Sequence, residues 1–262
     1  YLEFVVLNKR RIRVVRGKCP ELVARLEQQT APVAHWCSQY AQTIKDTAHS
    51  WVGFVDLDGT SVWLKVFRPK GLAQQFSVRL GRHRALRSFT SANNLRKVQL
   101  PVPFPIACLQ VGGEMLLVTK RLPQGGDLLS LWQSQGEHVP AAIWRESGVL
   151  IGQLHRAGFV HGDCKWSNIY RARDQHYLLD LEAVARVGVG ASVAYRDVAR
   201  FVLNAEDMGA SPGIVQTFLT AYAGEVDSSI EEVSIATLPQ LKRLRQRHER
   251  KYGSRGHILL QG

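Results

Sequence analysis

The sequence predicts an α+β protein of two lobes, a small antiparallel-sheet lobe followed by a larger helical lobe. Three observations predict it. Strand-like apolar runs fill the first half, two of them flanking Asp58-Gly59. In the second half, from about Ile143, apolar residues recur with the period of amphipathic helices. Between the two patterns lies Pro123-Gln-Gly-Gly-Asp127, a stretch of linker composition.

Phe4–Val15 reads as a hairpin, because the runs Phe4–Leu7 and Ile12–Val15 flank Asn8, Lys9 and two arginines. Pro20–Gln28 reads as a short helix with Leu22, Val23 and Leu26 on one face. Strands follow from about Tyr40. Trp51–Asp56 and Ser61–Phe67 are joined through Asp58-Gly59, a strong hairpin signal. Gln74–Lys97 has helical spacing, with Leu86, Phe89 and Ala92 as its buried stripe. Pro101-Val-Pro-Phe-Pro105 stops that helix and keeps the backbone extended. Glu114–Leu122 is a further strand. The expected organisation is an N-terminal extension over 1–39 packed on the small lobe, the small lobe over 40–122, and the large lobe over 123–262.

In the large lobe, Ile143, Leu150, Ile151 and Leu154 share a helical face, and Gly158 is placed to cap it. His161–Asn168 is a polar loop. A short apolar strand, Tyr177–Leu181, carries Asp180 at its end. Val198, Phe201 and Val202 mark another helix. Leu238, Leu241 and Leu244 mark the last, which is strongly basic.

Of 262 residues, 45% are hydrophobic, which excludes a mainly disordered chain. Lys and Arg total 34 against 22 Asp and Glu, a net charge of +12. Such an excess favours an anionic partner: nucleic acid, an acidic membrane surface or a phosphorylated substrate. The four cysteines are far apart with no CxxC pair, which argues against a zinc site and a disulfide scaffold and fits a reducing compartment. No apolar run is long enough to span a bilayer, and the first residues do not read as a signal peptide.

The sharpest chemical signal is His161-Gly-Asp163-Cys-Lys165-Trp-Ser-Asn168, followed by Leu178-Leu-Asp180-Leu-Glu182. The Asp163-x4-Asn168 spacing is that of a kinase catalytic loop, and a second Asp follows on a strand. Phosphoryl transfer explains the set. Asp163 would orient an acceptor hydroxyl and accept its proton. Asn168 and Asp180 are hard oxygen ligands suited to Mg²⁺ bridging ATP phosphates. Lys165 could reach the γ-phosphate. A lone His-Gly-Asp is more often a turn; the preceding amphipathic helix, the Asn and the strand-borne Asp favour catalysis. Lys65, in Val62-Trp-Leu-Lys65-Val, suits a strand lysine that holds the α- and β-phosphates; the alternative is an edge-strand lysine facing water. Glu182 shares a face with Asp180 if the strand continues, either assisting the metal or solvated. Cys164 reads as a packed small residue.

His161–Asn168, Asp180 and Lys65 together resemble the protein-kinase-like superfold. Within it the chain resembles the bacterial lipopolysaccharide core kinases, the heptose and Kdo kinases. His-Gly-Asp stands for His-Arg-Asp, and Asp180-Leu-Glu182 for Asp-Phe-Gly. Pro101–Pro105 follows the first large helix, Tyr195-Arg-Asp197-Val-Ala-Arg200 follows the metal Asp, and a basic helix closes the chain. The resemblance covers about Tyr40 to Tyr252. It implies transfer of phosphate from ATP, with Mg²⁺, to a sugar hydroxyl of the lipopolysaccharide inner core, at the cytoplasmic face of the inner membrane. It implies Asp163 as base, Asn168 and Asp180 on the metal, Lys65 on phosphates, and Asp197 accepting hydrogen bonds from the loop backbone. Lys120 and Arg121 fall where the interlobe hinge is expected, with backbone placed to meet adenine.

Two departures stand out. No Asp or Glu occurs between Lys65 and Glu114, so the helix carboxylate expected near Ser88 is missing. The stretch Ile44–Ser50, where a glycine-rich loop is expected, has no glycine, although Gly53 lies nearby. These gaps keep a membrane-associated or nucleic-acid-binding pseudokinase open as an alternative. A small-molecule kinase of the aminoglycoside or choline type is a second alternative, which the net charge of +12 disfavours because its acceptors are cationic.

Lys242, Arg243, Arg245, Arg247, Arg250 and Lys251 crowd the last helix, with Leu238, Leu241 and Leu244 on its other side. That is the form of an interfacial helix on an anionic membrane; a solvated helix packed by its leucines is the alternative. Lys9, Arg10, Arg11, Arg13, Arg16 and Lys18 form a second cluster. No zinc finger, helix-turn-helix or aromatic RNA-binding motif supports a nucleic-acid partner.

Overall fold

A computed structural model describes residues 5–7, 10–28, 32–68, 83–253 and 257–261. The chain divides into two compact units, Tyr1–Arg96 with Val102–Leu122, and Lys97–Pro101 with Pro123–Gly262.

Among the described residues the first unit holds β1 (Val5–Leu7), β2 (Arg10–Gly17), β3 (Gln42–Thr47), β4 (Ser50–Leu57), β5 (Thr60–Phe67), β6 (Pro105–Val111) and β7 (Glu114–Lys120). They form one antiparallel sheet in the order β1-β2-β6-β7-β5-β4-β3. The Asp58-Gly59 hairpin is present: both residues have positive φ, and Leu57 pairs with Thr60 across the turn. Successive residues of β5 face opposite sides. Val62, Leu64 and Val66 pack with Leu22, Leu26, Trp36 and Cys37 from helices α1 (Pro20–Glu27) and α2 (Val33–Tyr40). Phe67 faces the other side, against Ala85 and Phe89 of α3 (Arg84–Lys97). The α2 N-terminus is held by Glu114, whose Oε2 accepts the Val33 amide at 3.0 Å. A carboxylate there also meets the positive end of the helix dipole.

Several sequence expectations are adjusted. The helix expected from Gln74 is seen from Arg84, since residues 69–82 lie outside those described. Phe4, Asn8 and Lys9 of the first hairpin likewise lie outside them. Helix α2 and strand β6 were not anticipated.

The second unit holds β8 (Gly125–Asp127), α4 (Leu128–Gln135), α5 (Ala141–Arg156), β9 (Phe159–Val160), β10 (Ile169–Ala172), β11 (Gln175–Leu178) and β12 (Ala185–Arg186), then α6 (Tyr195–Asp207), α7 (Pro212–Glu225) and α8 (Ile230–Tyr252). The supposed linker is partly a strand, because β8 pairs with β10, and Asp127 caps α4 by accepting the Ser130 amide at 3.0 Å. Helices α5 and α7 pack closely because Gly148 and Gly152 lack side chains. A Cβ on Gly148 would stand 2.3 Å from the Phe218 carbonyl oxygen, and one on Gly152 2.4 Å from the Glu225 Cβ. Helix α8 starts in a capping box of Ser229 and Glu232 and contains Pro239.

The basic helix differs from expectation. Leu241 and Leu244 are buried and Leu238 is partly buried, with α8 packed on α6 and α7. Its apolar stripe is therefore spent inside the unit. Arg245 also leaves the surface cluster to bind Glu206 through Nε at 3.0 Å and through Nη2. Lys242, Arg243, Arg247, Arg250 and Lys251 remain exposed. Among the described residues no helix is long and apolar enough to cross a membrane. All four cysteines are free and buried.

Candidate active site

The polar loop His161–Asn168 is held by one face of α6. Asp197, Arg200 and Asn204 recur three and four residues apart, so they share that face, while Val198, Phe201, Val202 and Ala205 bury the rest of the helix. Asp197 accepts the His161 amide on Oδ2 at 2.6 Å and the Gly162 amide on Oδ1 at 2.9 Å. Arg200 Nη1 donates to Asp163 Oδ1 at 2.7 Å. Asn204 Oδ1 accepts the Trp166 amide at 2.8 Å.

Asp197 is buried, and burial alone would raise its pKa. The His155 hydrogen bond and charge, His161 and the loop amide outweigh this and hold it below the usual carboxylate value. His155 Nε2 donates to Asp197 Oδ2 at 3.2 Å, and its Nδ1 shares a hydrogen bond with the Tyr222 hydroxyl at 2.8 Å. Burial, then the nearby Tyr195, Asp197 and Cys164, push the Tyr222 phenol up, so it stays a donor. Helices α5, α6 and α7 thereby meet in one buried network under the loop. His161 Nε2 donates to the Leu179 carbonyl at 2.9 Å, which leaves Nδ1 to accept the Asp163 amide at 3.3 Å.

Gly162 explains why the motif is His-Gly-Asp. Its φ is +78°, and a Cβ there would lie 2.6 Å from the Ala183 carbonyl oxygen. Trp166 anchors the middle of the loop: it is fully buried, 4.7 Å from the Trp144 ring and 5.6 Å from Phe201, centroid to centroid. Cys164 is buried, and burial followed by the Asp197 and Asp163 charges pushes its thiol well above the ordinary value, as suits a packed small residue.

Asp163 stays partly open, with 31% of its side chain exposed. Its Oδ2 lies 3.3 Å from Lys165 Nζ and 3.3 Å from Asn168 Nδ2, which also donates to the Asp163 carbonyl at 2.8 Å. The Asn168 amide is thereby turned so that its oxygen is left as an acceptor. The Asn168 carbonyl accepts the Leu179 amide at 2.8 Å, which brings the Asp180 backbone alongside. The strand expected to end at Asp180 ends at Leu178. Asp180 takes a left-handed conformation, φ 55° and ψ 57°, ahead of a 3₁₀ turn over Leu181–Ala183. The alternation that would have put Glu182 on the face of Asp180 is therefore broken.

Asp163, Lys165, Asn168 and Asp180 are gathered in the second unit, whereas Lys65 belongs to the first. Lys65 sits on β5, an inner strand between β4 and β7, so the edge-strand alternative does not apply. Its Nζ lies 5.0 Å from the Phe67 ring centroid. The turn after β3 is closed by Thr47, whose Oγ1 donates to the Ser50 carbonyl at 2.9 Å and accepts the Ser50 amide at 3.1 Å. Gly53 serves packing there, since a Cβ on it would stand 2.4 Å from the Trp51 ring. The amides of Lys120 and Arg121 donate to Phe104 and Ser61 carbonyls at 2.8 and 3.0 Å, so neither is left for adenine.

The oxygen chemistry of Asn168 and Asp180 fits Mg²⁺. Among the described residues no cluster of three or more His, Cys, Asp or Glu makes an all-protein cage. Mg²⁺ is usually held by one or two carboxylates with phosphates completing its shell. Sequence reasoning missed Asn204 and gave Arg200 no role. The signal was their spacing from Asp197, three and then four residues along one helix face.

A sheet-rich unit and a helical unit carrying this loop define a protein-kinase-like fold. A solved structure titled "WaaP in complex with acyl carrier protein" shares that fold, with a TM-score of 0.60 over 92% of this chain and 99% of that one, at 16% identity. The sequence matches the Lipopolysaccharide kinase (Kdo/WaaP) family over residues 38–222, and the chain belongs to that family. It is 29% identical over 153 residues to a 3-deoxy-D-manno-octulosonic acid kinase of Xanthomonas campestris pv. campestris (strain B100), covering 54% of this chain and 60% of that one. A protein of the same description from Xanthomonas euvesicatoria pv. vesicatoria (strain 85-10) is 34% identical over 107 residues, 39% and 42% of the two chains. The chain thus spans 60% or less of the length of these curated relatives.

Proposed function

We propose that this chain carries the catalytic part of an ATP- and Mg²⁺-dependent kinase. Its acceptor is a sugar hydroxyl, of Kdo or heptose, in the inner core of lipopolysaccharide. The observation that carries the reading is the partly open Asp163 carboxylate, flanked by Lys165 and Asn168 in a loop bonded to Leu179, the residue before Asp180. Family membership and the Kdo-kinase relatives support the acceptor class.

Asp163 is the base that orients the hydroxyl and accepts its proton. Lys165, beside it, meets the γ-phosphate. Asn168 and Asp180 hold Mg²⁺, which when bound offsets negative charge on the ATP phosphates. Lys65 is assigned to the α- and β-phosphates on the family pattern alone. The exposed cations of α8 meet anionic headgroups at the cytoplasmic face of the inner membrane by charge rather than by insertion, because Leu241 and Leu244 of that helix are buried within the unit.

The test is transfer of labelled phosphate from Mg-ATP to a dephosphorylated lipopolysaccharide core, with Asp163→Ala as the comparison. The variant is expected to lose roughly a hundredfold to ten-thousandfold in rate while still binding ATP. Undiminished transfer would remove Asp163 from the base role. A second reading, a nucleotide-binding pseudokinase, is favoured by one feature: the Thr47–Ser50 turn has no glycine and closes on itself. ATP binding without transfer by the unaltered protein would support it.

A further inference from the structure

The base carboxylate is loaded unequally on its two oxygens. Oδ1 takes one short charge-assisted bond, 2.7 Å from Arg200 Nη1. Oδ2 has two longer contacts, 3.3 Å each, to Lys165 Nζ and Asn168 Nδ2. Guanidinium keeps its proton at any working pH, so Arg200 cannot compete for the proton that a base collects. Lys165, with 44% of its side chain exposed, is free to swing toward phosphate.

The hydrogen bonding of Arg200 is concentrated on the Asp163 side. Its Nε is buried without a hydrogen-bond partner among the described residues. An unmet buried donor costs stability. Arg200 lies on the polar face of α6 between Asp197 and Asn204, the face that holds the loop. A guanidinium that leaves one buried donor unmet while its other end grips the reacting carboxylate points to function.

We infer that Arg200 is a positioning residue for phosphoryl transfer: it pins Oδ1 of Asp163 so that Oδ2 faces the acceptor hydroxyl. This rests on the reading of Asp163 as base. The hydroxyl proton passes to Asp163 Oδ2 as the acceptor oxygen bonds to the γ-phosphorus. The bond from that phosphorus to the β–γ bridging oxygen breaks, and its electron pair leaves with ADP. Arg200 neither gives nor takes a proton.

Arg200→Met separates the two roles, because it keeps the packing stem and removes the guanidinium. Asp163 is solvated enough to stand without its partner, so the melting temperature is expected to be unchanged or higher. The turnover number is expected to fall 10- to 100-fold with KM for ATP unchanged, and Arg200→Lys is expected to fall less. Added guanidinium ion should restore part of the turnover of Arg200→Ala. It should restore none to Asn204→Ala, which loosens the same loop without touching Asp163. Full turnover in Arg200→Met would overturn the inference, as would a loss of turnover matched by a loss of melting temperature and not restored by guanidinium. Transfer surviving in Asp163→Ala would instead overturn the base itself, and the inference with it.

Discussion

The carbonyl of Asn168 accepts the amide of Leu179 at 2.8 Å, one residue ahead of Asp180. The two proposed metal ligands are therefore tied through backbone. The antiparallel pairing of Ile169 with Leu178 extends the same ladder. Replacing either ligand side chain leaves this backbone tie intact.

Asp180→Ala is accordingly expected to fold normally and to lose the Mg²⁺-dependent part of nucleotide binding, by tenfold or more. Calorimetric titration of ATP with Mg²⁺ and with chelator measures it. Equal Mg²⁺ dependence in both proteins would take the metal away from Asp180.

His176 gives a pH dependence of stability. Burial, then the Arg171 charge, lowers its pKa from 6.5 to about 4. Between those values the unfolded chain holds a proton that the folded chain refuses, so stability rises with pH there. The contribution is complete above pH 6.5 and is lost as pH falls toward 4, up to roughly 3 kcal/mol. Urea unfolding at several pH values should show a shallower slope in His176→Asn. Identical slopes would mean that the ring charges in place, against the Glu146 carboxylate 3.2 Å from Nδ1.

Two ion pairs should differ in what they contribute. The Glu206 side chain is fully buried and also accepts the Leu259 amide at 3.0 Å, beside its pair with Arg245. Glu206→Ala strands a largely buried guanidinium and is expected to cost about 3–5 kcal/mol. Arg25 and Asp58, 42% and 69% exposed at 3.3 Å, form a surface pair, so Arg25→Ala should cost less than about 1 kcal/mol. Equal melting shifts for the two variants would contradict the burial argument.

Charge reversal at Lys242, Arg243, Arg247 and Arg250 should weaken binding to vesicles containing anionic lipid, by roughly 1 kcal/mol per charge. Binding by the unaltered protein should fall with added salt. Vesicle binding indifferent to both changes would leave α8 as a packing element.

The legible parts of the fold were those written in local pattern. The Asp58-Gly59 hairpin, the stripe Ile143, Leu150, Ile151 and Leu154, and the Asp163-x4-Asn168 loop all show within a few neighbouring residues. Helix α2 is eight residues long and carries no side-chain cap; its N-terminus is met by Glu114 from far along the chain. Strand β6 begins directly on Pro105, where the proline run hides it. Gly125–Asp127 is a strand only because β10 lies beside it.

By itself the sequence determined the α+β class, the residues able to run phosphoryl transfer, and the absence of an acid between Lys65 and Glu114. Those follow from residue identity and short spacing, which survive without a fold. Only the tertiary structure decided that Arg200 grips Asp163 across 37 residues, that Asn204 holds Trp166 across 38, and that Leu241 and Leu244 of α8 are buried. Such pairings depend on how helix faces pack, and packing is settled by the whole core rather than by any one segment.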